Sequence, residues 1–500
     1  EQTSLIAARA VALIHESGLP PSVLQLLPGS GAVVGDALTR HPAVAGICFT
    51  GSTATAQRIN RNMAGSLPAE APLIAETGGL NAMIVDSTAL PEQVVRDVVA
   101  SAFQSAGQRC SALRMLYLQK DVADKFLEML FGAMDELRVD DPWYLHSDVG
   151  PVIDMAAKEK IDGHCRKMEA RGRLLKQLPA PESGIYVGPT VIKVDGIEDL
   201  EEEIFGPVLH IATFNAEKID KVVDAINAKG YGLTFGLHTR VDNRVEQIVK
   251  RIKVGNIYVN RNQIGAVVGS QPFGGEGLSG TGPKAGGPWY VPRFYRSPAP
   301  AFEQGDAASI DDKSLQELID KALKFPESLD NSAAVAKLAK ALGIEPVNSS
   351  AFDMSELPGP TGETNQWSTH PRGLILCLGP NREAALRQML VALETGNRAV
   401  VVSDGLDADI KLIHNTKLAV VVAEAAIDPT ALAKLNGINA VCSQALAGQM
   451  QQYREALAQR DGELIPLINE LDPQRYLMER HLCIDTTAAG GNASLIASSS

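Results

Sequence analysis

Short apolar runs alternate with amphipathic stretches over most of the chain. The apolar runs at residues 24–27 and 44–49 are typical of short strands, and the second is followed directly by Thr50-Gly51-Ser52. Apolar side chains recur at helical spacing from Val94 to Ala106. Strand-like and helical segments keep alternating to about residue 290. This βα rhythm predicts an α/β fold built on parallel sheets.

The rhythm is interrupted by a segment of different character and resumes at Gly373. Proline- and glycine-rich stretches at both ends of this segment enclose one amphipathic helical pattern at residues 314–325. We therefore expect a linker with one helix over residues 301–372. A second Rossmann-like unit is predicted over residues 373–485.

Composition and charge narrow the class of protein. The chain has 500 residues, is 45% hydrophobic and carries a formal net charge of −13. Two or three domains are expected, and a nucleic-acid-binding surface is disfavoured. Six dispersed cysteines without a CxxC pair are typical of free thiols in a reducing cytoplasm, so we expect a cytoplasmic protein without a membrane span. The nine histidines show no metal-ligand spacing, and no metal is expected.

Two short segments are candidates for covalent chemistry. Cys110 follows a predicted helix end at Gly107 and lies beside Arg109, where a thiolate can be stabilised. Glu76 follows a strand-like run and precedes Gly78 and another glycine, so its carboxylate can approach a reacting centre closely. Each segment alone is equally compatible with a buried structural thiol or a turn glutamate that faces water.

Two further segments are candidates for nucleotide binding. The helix start at Thr50-Gly51-Ser52 could offer backbone N–H groups to a diphosphate, although Ser52 could simply cap the helix. In Glu203-Ile-Phe205-Gly-Pro, the carboxylate could accept hydrogen bonds from ribose hydroxyls and the ring could pack on nicotinamide. Alone, the last segment is also compatible with a strand start and a turn.

Together and in this order, the four segments resemble the aldehyde dehydrogenase superfamily. The resemblance implies that Cys110 attacks the aldehyde carbon as a nucleophile and that Glu76 activates the water that hydrolyses the thioester. It also implies an NAD cofactor, and the residues expected to bind it are Thr50, Gly51, Ser52, Gly78, Glu203 and Phe205.

The same resemblance implies a division of the chain. Residues 1–80 would be a truncated Rossmann-like cofactor domain and residues 81–270 the catalytic domain. Residues 271–300 would return to the cofactor and oligomerisation region. Residues 373–401 resemble a degenerate copy of the opening of the cofactor domain, without counterparts of the catalytic pair, so the second unit is expected to be non-catalytic.

A longer resemblance narrows the substrate. Residues 105–111 and 265–284 are similar to the glutamate-semialdehyde dehydrogenase branch, above all to the dehydrogenase half of the bifunctional proline utilization A flavoenzymes. This implies a carboxylate anchor, without a nearby cation, made of Ser111 and the backbone N–H groups of Gly265 and Ala266. Phe273 would pack on the aliphatic chain of the substrate.

The long members of this branch also suggest what the full-length protein contains. The tail at residues 486–500 resembles their terminal signature, which packs against the dehydrogenase domain. The chain is expected to be the C-terminal part of a longer homo-oligomeric protein, with FAD only if a proline dehydrogenase domain lies upstream. The oxyanion-hole asparagine and a cofactor-binding lysine would then precede residue 1. Two alternatives stay open: the same chemistry on a different aldehyde, and a non-enzymatic scaffold or oligomerisation fragment.

Overall fold

The computed structural model describes residues 2–295, 299–326, 331–345 and 354–487. The predicted tail signature at residues 486–500 therefore lies outside the described residues except for its first two. Within these ranges, no helix combines the length and apolarity that crossing a membrane requires. The same ranges contain no group of three or more His, Cys, Asp or Glu side chains suited to holding a metal ion.

The N-terminal segment contains a two-stranded parallel sheet with helices beside it. Its elements are α1 (Ser4–Glu16), α2 (Asp36–Thr39), β1 (Ile47–Gly51), α3 (Thr53–Ala64) and β2 (Leu73–Thr77). The strand predicted at residues 24–27 is wrong, because the segment forms no ladder with a described strand. The carbonyl of Leu24 instead accepts a hydrogen bond from the His15 ring at 2.9 Å, if Nε2 carries the proton.

The middle of the chain folds into alternating strands and helices around one large sheet. Its helices are α4 (Pro91–Phe103), α5 (Lys120–Asp135), α6 (Met155–Ala170), α7 (Ile219–Ala228) and α8 (Asp242–Arg251). Its strands are β3 (Ala82–Val85), β4 (Met115–Gln119), β5 (Leu174–Gln177), β6 (Thr190–Lys193), β7 (Val208–Phe214), β8 (Tyr231–Gly232), β9 (Thr234–His238), β10 (Asn256–Val259) and β11 (Glu276–Gly277).

The C-terminal part of the chain adds a second α/β unit. Its helices are α9 (Asp312–Ala322), α10 (Ser332–Leu342), α11 (Arg382–Glu394), α12 (Asp407–His414) and α13 (Ala447–Ala458). Its strands are β12 (Ser309–Ile310), β13 (Met354–Leu357), β14 (Glu363–Pro371), β15 (Leu374–Cys377), β16 (Arg398–Ser403), β17 (Val420–Glu424), β18 (Ala426–Ile427), β19 (Ala440–Cys442), β20 (Leu467–Ile468) and β21 (Leu477–Asp485).

The two main sheets confirm the predicted α/β fold with parallel strands. The large sheet has the order β13-β14-β21-β10-β9-β3-β4-β7-β6-β5, and its central neighbours from β21 to β6 are parallel. The second sheet, β17-β16-β15-β19-β20, is parallel throughout. Alternate residues of its strands pack into two different core clusters, so apolar side chains cover both faces, as a parallel sheet requires.

The linker prediction for residues 301–372 is wrong in two respects. The segment contains a second helix, α10, whose Val335, Leu338, Ala339 and Leu342 form a buried stripe at helical spacing. It also contains β14, which is mostly polar and pairs with β21 at the side of the large sheet. Its inward residues are polar because they meet polar partners: the Trp367 indole N–H donates to Glu479 at 2.9 Å. The C-terminal unit therefore contributes strands to the large sheet.

The sheet order brings three connecting segments to one place. Strands β3, β4 and β7 are adjacent and parallel, so the segments that lead into them meet at the same edge. These are residues 78–81, 107–114 and 203–207. The core beneath them is fully buried, since every residue of β3 is at most 1% exposed. Three of the predicted site segments are thus placed side by side by the topology.

Candidate active site

Cys110 lies just beyond an unusual reversal of the chain. After α4, Ser105, Ala106 and Gly107 all adopt left-handed backbone conformations, with φ of 57°, 54° and 64°. A Cβ on Gly107 would lie 2.1 Å from the carbonyl oxygen of Gly206, so only glycine allows the two segments to approach this closely. The reversal turns the chain back towards β4 and places Cys110 between α4 and that strand.

Asn81, which sequence reasoning missed, fixes the backbone around the cysteine. Its amide Nδ2 donates to the carbonyl oxygens of Cys110 at 2.6 Å and Ala112 at 2.9 Å. Its Oδ1 accepts from the backbone N–H of Thr234 at 3.2 Å. The available signal was a polar residue two positions after Gly79, at the start of the apolar run at residues 82–85. Asn81 therefore connects the Glu76 segment, the Cys110 segment and β9.

The electrostatics of Cys110 correct one expectation. Burial raises the pKa of its thiol, and the carboxylates of Glu203 and Glu76 raise it further, while backbone N–H groups at residues 110 and 111 lower it. Arg109 is not among the groups that lower this pKa, and its Nε donates to the Ser105 hydroxyl at 3.0 Å. The thiol is therefore less acidic than its arginine neighbour suggested.

Glu76 ends β2 in a pocket made for a carboxylate. A Cβ on Gly274 or Gly280 would lie 2.9 Å from its carboxylate oxygens, and the backbone N–H of Gly275 donates to Oε2 at 2.8 Å. The other oxygen, Oε1, is buried and has no hydrogen-bond partner in the described structure. Burial raises the pKa of Glu76 to about 8. An unpartnered oxygen that titrates near neutrality suits a general base.

Lys284, a second residue missed from the sequence, lies behind Glu76. Its Nζ is buried and donates to Asn256 Oδ1 at 2.8 Å and to the carbonyl oxygen of Gly274. Burial lowers its pKa to about 8, and its charge in turn lowers the pKa of Glu76. Its backbone N–H donates to Glu479 of β21 at 2.7 Å. The C-terminal unit thus supports the surroundings of the base.

Arg114, also missed, holds the segments around the cysteine together. It is 1% exposed and donates to the carbonyl oxygens of Gly107 at 2.7 Å and Gly206 at 3.1 Å. Its Nε and Nη2 both donate to Oε1 of Glu203 at 3.1 Å. The guanidinium carbon lies 5.2 Å from the centre of the Phe205 ring. One buried cation therefore fixes Glu203, Phe205 and the cysteine turn.

Three predicted cofactor residues lie together next to Cys110. A Cβ on Gly78 would lie 1.9 Å from Oε2 of Glu203, so the glycine makes room for that carboxylate. Phe205 is 43% exposed, and its ring is open to a flat ligand. A carboxylate and an accessible ring next to a thiol fit the ribose and ring of a nicotinamide nucleotide.

The predicted diphosphate segment lies on the neighbouring small sheet. In the β1–β2 pairing, Thr50 lies opposite Glu76 and Gly51 opposite Thr77. Ser52 caps α3, because its hydroxyl accepts from the backbone N–H of Thr55 at 3.2 Å. Capping uses the Ser52 hydroxyl and the Thr55 N–H, so an anion here would be bound by the N–H groups that precede Thr55.

The predicted carboxylate anchor has a cation beside it, contrary to expectation. Gly265 has φ of 72°, and a Cβ there would lie 3.9 Å from Nη1 of Arg109. Ser111 is 5% exposed, and its carbonyl accepts from Thr234 at 3.2 Å and Gln263 at 3.3 Å. These contacts tie the serine to the segment that leads into the Gly265 turn.

The two remaining substrate residues flank this turn. Ala266 is half-buried directly after Gly265. Phe273 is half-buried and pairs through its backbone with Ala285, next to the Gly274-Gly275 pair that contacts Glu76. The chain between residues 265 and 275 therefore connects the anchor to the base.

Comparison with known proteins identifies the family of the chain. Residues 1–298 match the aldehyde dehydrogenase family. Bifunctional protein PutA of Klebsiella aerogenes is 45% identical over 516 aligned residues, which cover 98% of this chain and 39% of that protein. The chain therefore spans well under half the length of this curated relative.

Solved structures give the same result. A crystal structure of bifunctional proline utilization A (PutA) is 56% identical, with a TM-score of 0.58 over 59% of this chain and 30% of that one. A 1-pyrroline-5-carboxylate dehydrogenase from Thermus, solved with bound NAD, is 34% identical, with a TM-score of 0.54 over 58% of this chain and 57% of that one. The chain belongs to the aldehyde dehydrogenase family.

Proposed function

We propose that this chain catalyses the NAD-dependent oxidation of L-glutamate 5-semialdehyde to L-glutamate, the second step of proline catabolism. The observation that carries the proposal is the pairing of Cys110 with a buried Glu76 whose Oε1 has no partner in the described structure. The PutA and 1-pyrroline-5-carboxylate dehydrogenase relatives supply the substrate class.

Cys110 carries the covalent step. Its sulfur forms a bond to the aldehyde carbon, the carbonyl π pair moves to the oxygen, and the thiol proton is transferred to that oxygen, which gives a thiohemiacetal. NAD would supply the hydride acceptor when bound, and loss of the hydride from the carbon and of the hydroxyl proton to solvent leaves a thioester on Cys110. Gly78, Glu203 and Phe205 would hold the nicotinamide ribose and ring, and Thr50, Gly51 and Ser52 the diphosphate. The Arg114 contacts keep Glu203 and Phe205 in position for this role.

Glu76 carries the hydrolytic step. Its free Oε1 accepts a proton from water as the water oxygen attacks the thioester carbon, and the Cys110 sulfur departs. The hydrogen bond from Gly275 and the charge of Lys284 both favour the ionised form that this step needs. The proton held by Glu76 then passes to the departing Cys110 sulfur, so the thiol is restored and glutamate is released.

The predicted carboxylate anchor would orient the substrate. Ser111, Gly265 and Ala266 would bind the α-carboxylate, with Arg109 adding positive charge beside Gly265. Phe273 would contact the aliphatic chain. A local cation and N–H groups overcome the repulsion that a protein of net charge −13 exerts on an anionic substrate.

The proposal extends to the surroundings of the chain. The match to proteins named as bifunctional PutA supports a longer polypeptide with an FAD-dependent proline dehydrogenase domain upstream. A cytoplasmic location and a homo-oligomer are part of the same proposal.

The direct test is NADH formation from pyrroline-5-carboxylate by the full-length protein. Wild type should reduce NAD, and Cys110→Ala should not, whereas Cys165→Ala, the matched control at a buried cysteine, should stay active. Retained activity in Cys110→Ala would overturn the mechanism. A comparable kcat/KM for propanal would instead favour a different aldehyde as substrate.

A further inference from the structure

A polar cavity separate from the candidate active site lies between the start of β2, the segment at residues 281–295 and the C-terminal unit. Its volume is about 250 Å³, and neither Cys110 nor the Gly265 turn lines it. Four arginines do: Arg293, Arg372, Arg454 and Arg475. Such a concentration of positive charge is unexpected in a chain of net charge −13.

Arg454 of α13 is the unusual member of the group. Its Nε is buried and has no hydrogen-bond partner, and its guanidinium forms no hydrogen bond or ion pair with any residue that the structure describes. Burial and, to a smaller extent, the like charge of Arg293 lower the pKa of Arg454 to about 10. The side chain is half-buried, and a partly desolvated guanidinium beside a second cation is costly unless an anion joins them.

Arg372 is also without a carboxylate partner within the described ranges. Its Nε donates to the carbonyl of Arg475 at 2.7 Å and its Nη1 to the sulfur of Met478 at 2.8 Å. Burial lowers its pKa to about 10; the charge of Glu463 opposes this lowering and that of Arg293 adds to it. Arg293 therefore lies near two cations that form no ion pair in the described structure.

Four carboxylates line the cavity: Glu470, Glu479 and Asp472 have partners among the described residues, and the exposed Glu70 forms no ion pair with Arg454 in the part of the chain that the structure describes. Glu470 lies 3.2 Å from Arg475 and 3.6 Å from Arg293. Glu479 accepts from Trp367 and from the backbone N–H of Lys284. The carboxylate of Asp472 caps a turn by accepting from the backbone N–H of Gln474 at 3.0 Å. None of these acids neutralises Arg454.

We propose that this cavity is a binding site for a small oxyanion, a carboxylate or a phosphate, held between the guanidinium groups of Arg454, Arg293 and Arg372. Guanidinium forks bind both anions through paired N–H···O bonds. Apolar walls from Trp289, Ile465 and Leu467 leave room for a short hydrocarbon body beside the charge. The cavity volume limits the ligand to a small molecule.

The site borders the catalytic centre through one residue pair. Lys284 and Glu479 line the cavity, and Lys284 also donates to Gly274 next to Glu76. An anion in the cavity would therefore interact with the charge of Lys284, which also acts on Glu76.

The test is calorimetric titration of the full-length protein with inorganic phosphate and, separately, with glutarate. Wild type should bind at least one of them at one saturable site per chain. Arg454→Met should weaken this binding about tenfold or more, since a charge-assisted hydrogen-bond pair is lost. The control Arg387→Met removes a half-exposed arginine that pairs with Glu383 on α11, and it should leave the binding unchanged.

Further arms separate the possible results. Arg293→Met should weaken binding as Arg454→Met does, which covers the case in which one variant fails to fold. Glutarate binding that Ser111→Ala abolishes and Arg454→Met leaves intact would belong to the active site and would overturn the proposal. The proposal would also be overturned if wild type showed no saturable binding. This is the result expected if an acidic side chain from elsewhere in the full-length protein fills the cavity. These results do not depend on the proposed dehydrogenase activity.

Discussion

Lys284 and Glu76 contact opposite sides of the same peptide group. The Nζ of Lys284 donates to the carbonyl oxygen of Gly274, and the N–H of the next residue, Gly275, donates to Oε2 of Glu76. The ammonium polarises the peptide, and this strengthens the N–H as a donor to the carboxylate. A buried base is thus kept partly ionised by a cation that it does not touch.

Lys284→Met should shift the pH profile of turnover to higher pH. Without the ammonium the pKa of Glu76 rises above about 8, so less carboxylate is present at neutral pH. A shift of about one pH unit, with about tenfold slower thioester hydrolysis at pH 7, is expected. Stopped-flow kinetics should show an unchanged burst of NADH with a slower steady state.

Lys250→Met is the matched control, because Lys250 is 77% exposed on its side chain and pairs only with Glu246 one helical turn away. This variant should show the same pH profile of turnover as wild type. An unshifted profile in Lys284→Met would show that the lysine has a purely structural role.

Arg114→Lys should lower both stability and affinity for NAD. A lysine cannot reproduce the paired contacts of Arg114 with Glu203 or its donors to Gly107 and Gly206. We expect a loss of about 1–3 kcal/mol in the free energy of unfolding and a raised KM for NAD. Denaturant unfolding and initial rates measure both quantities. The same change at exposed Arg166 should have neither effect.

Gly107→Ala should abolish activity through the backbone. The new Cβ would meet the Gly206 carbonyl at 2.1 Å, at a residue with φ of 64°. The cysteine turn must then open, and kcat should fall by about a hundredfold or more. Gly132→Ala on α5, where nothing lies within 4 Å of the added Cβ, should retain activity and gain about 0.5–1 kcal/mol of stability. Equal effects of the two changes would contradict this account.

Glu76→Gln should stabilise the fold increasingly from pH 4.5 to about 8. The folded pKa of Glu76 is raised to about 8 from 4.5, so over this window the folded protein retains a proton that the unfolded chain has lost. Wild-type stability therefore falls as pH rises through the window, and the glutamine variant escapes this loss. Thermal unfolding of both proteins at several pH values tests this. A difference that is constant with pH would indicate that Glu76 is not buried in solution.

Arg109→Met should lower the activity on glutamate semialdehyde more than the activity on propanal. Removing the cation beside Gly265 should lower kcat/KM for glutamate semialdehyde about tenfold and leave that for propanal nearly unchanged. Arg166→Met serves as the control for removing a positive charge. Equal losses for both aldehydes would mean that Arg109 maintains the cysteine turn instead of the anchor.

Local patterns were sufficient to predict the alternation of strands and helices and the segments of Glu76 and Cys110. In both segments a glycine-rich turn follows a strand or helix, and that arrangement is readable within a few residues. Arg114 and Lys284 were missed because their functions arise from distant partners. Arg114 binds Glu203 across 89 residues, and Lys284 binds Asn256 across 28.

The C-terminal strands illustrate the same limit. Strand β14 carries polar residues inward and was assigned to a linker, because the usual inward apolar pattern is absent. Its inward Trp367 and Asn365 have partners in β21, more than a hundred residues later, and Asn365 also donates to Glu363 within β14. No local pattern identifies such pairing. The charge around Cys110 likewise depends on distant residues, since Glu76 and Glu203, which raise the pKa of its thiol, lie far from it in the sequence.

The most direct test of the central claim, that Cys110 forms a thioester that Glu76 resolves, is mass analysis of Glu76→Gln in the full-length protein. The variant should be mixed with pyrroline-5-carboxylate and NAD, quenched in acid, digested and analysed by peptide mass. The account predicts a glutamyl adduct that accumulates on the Cys110 peptide and is absent without NAD. An adduct on another cysteine, or no adduct while NADH forms at the wild-type rate, would contradict it.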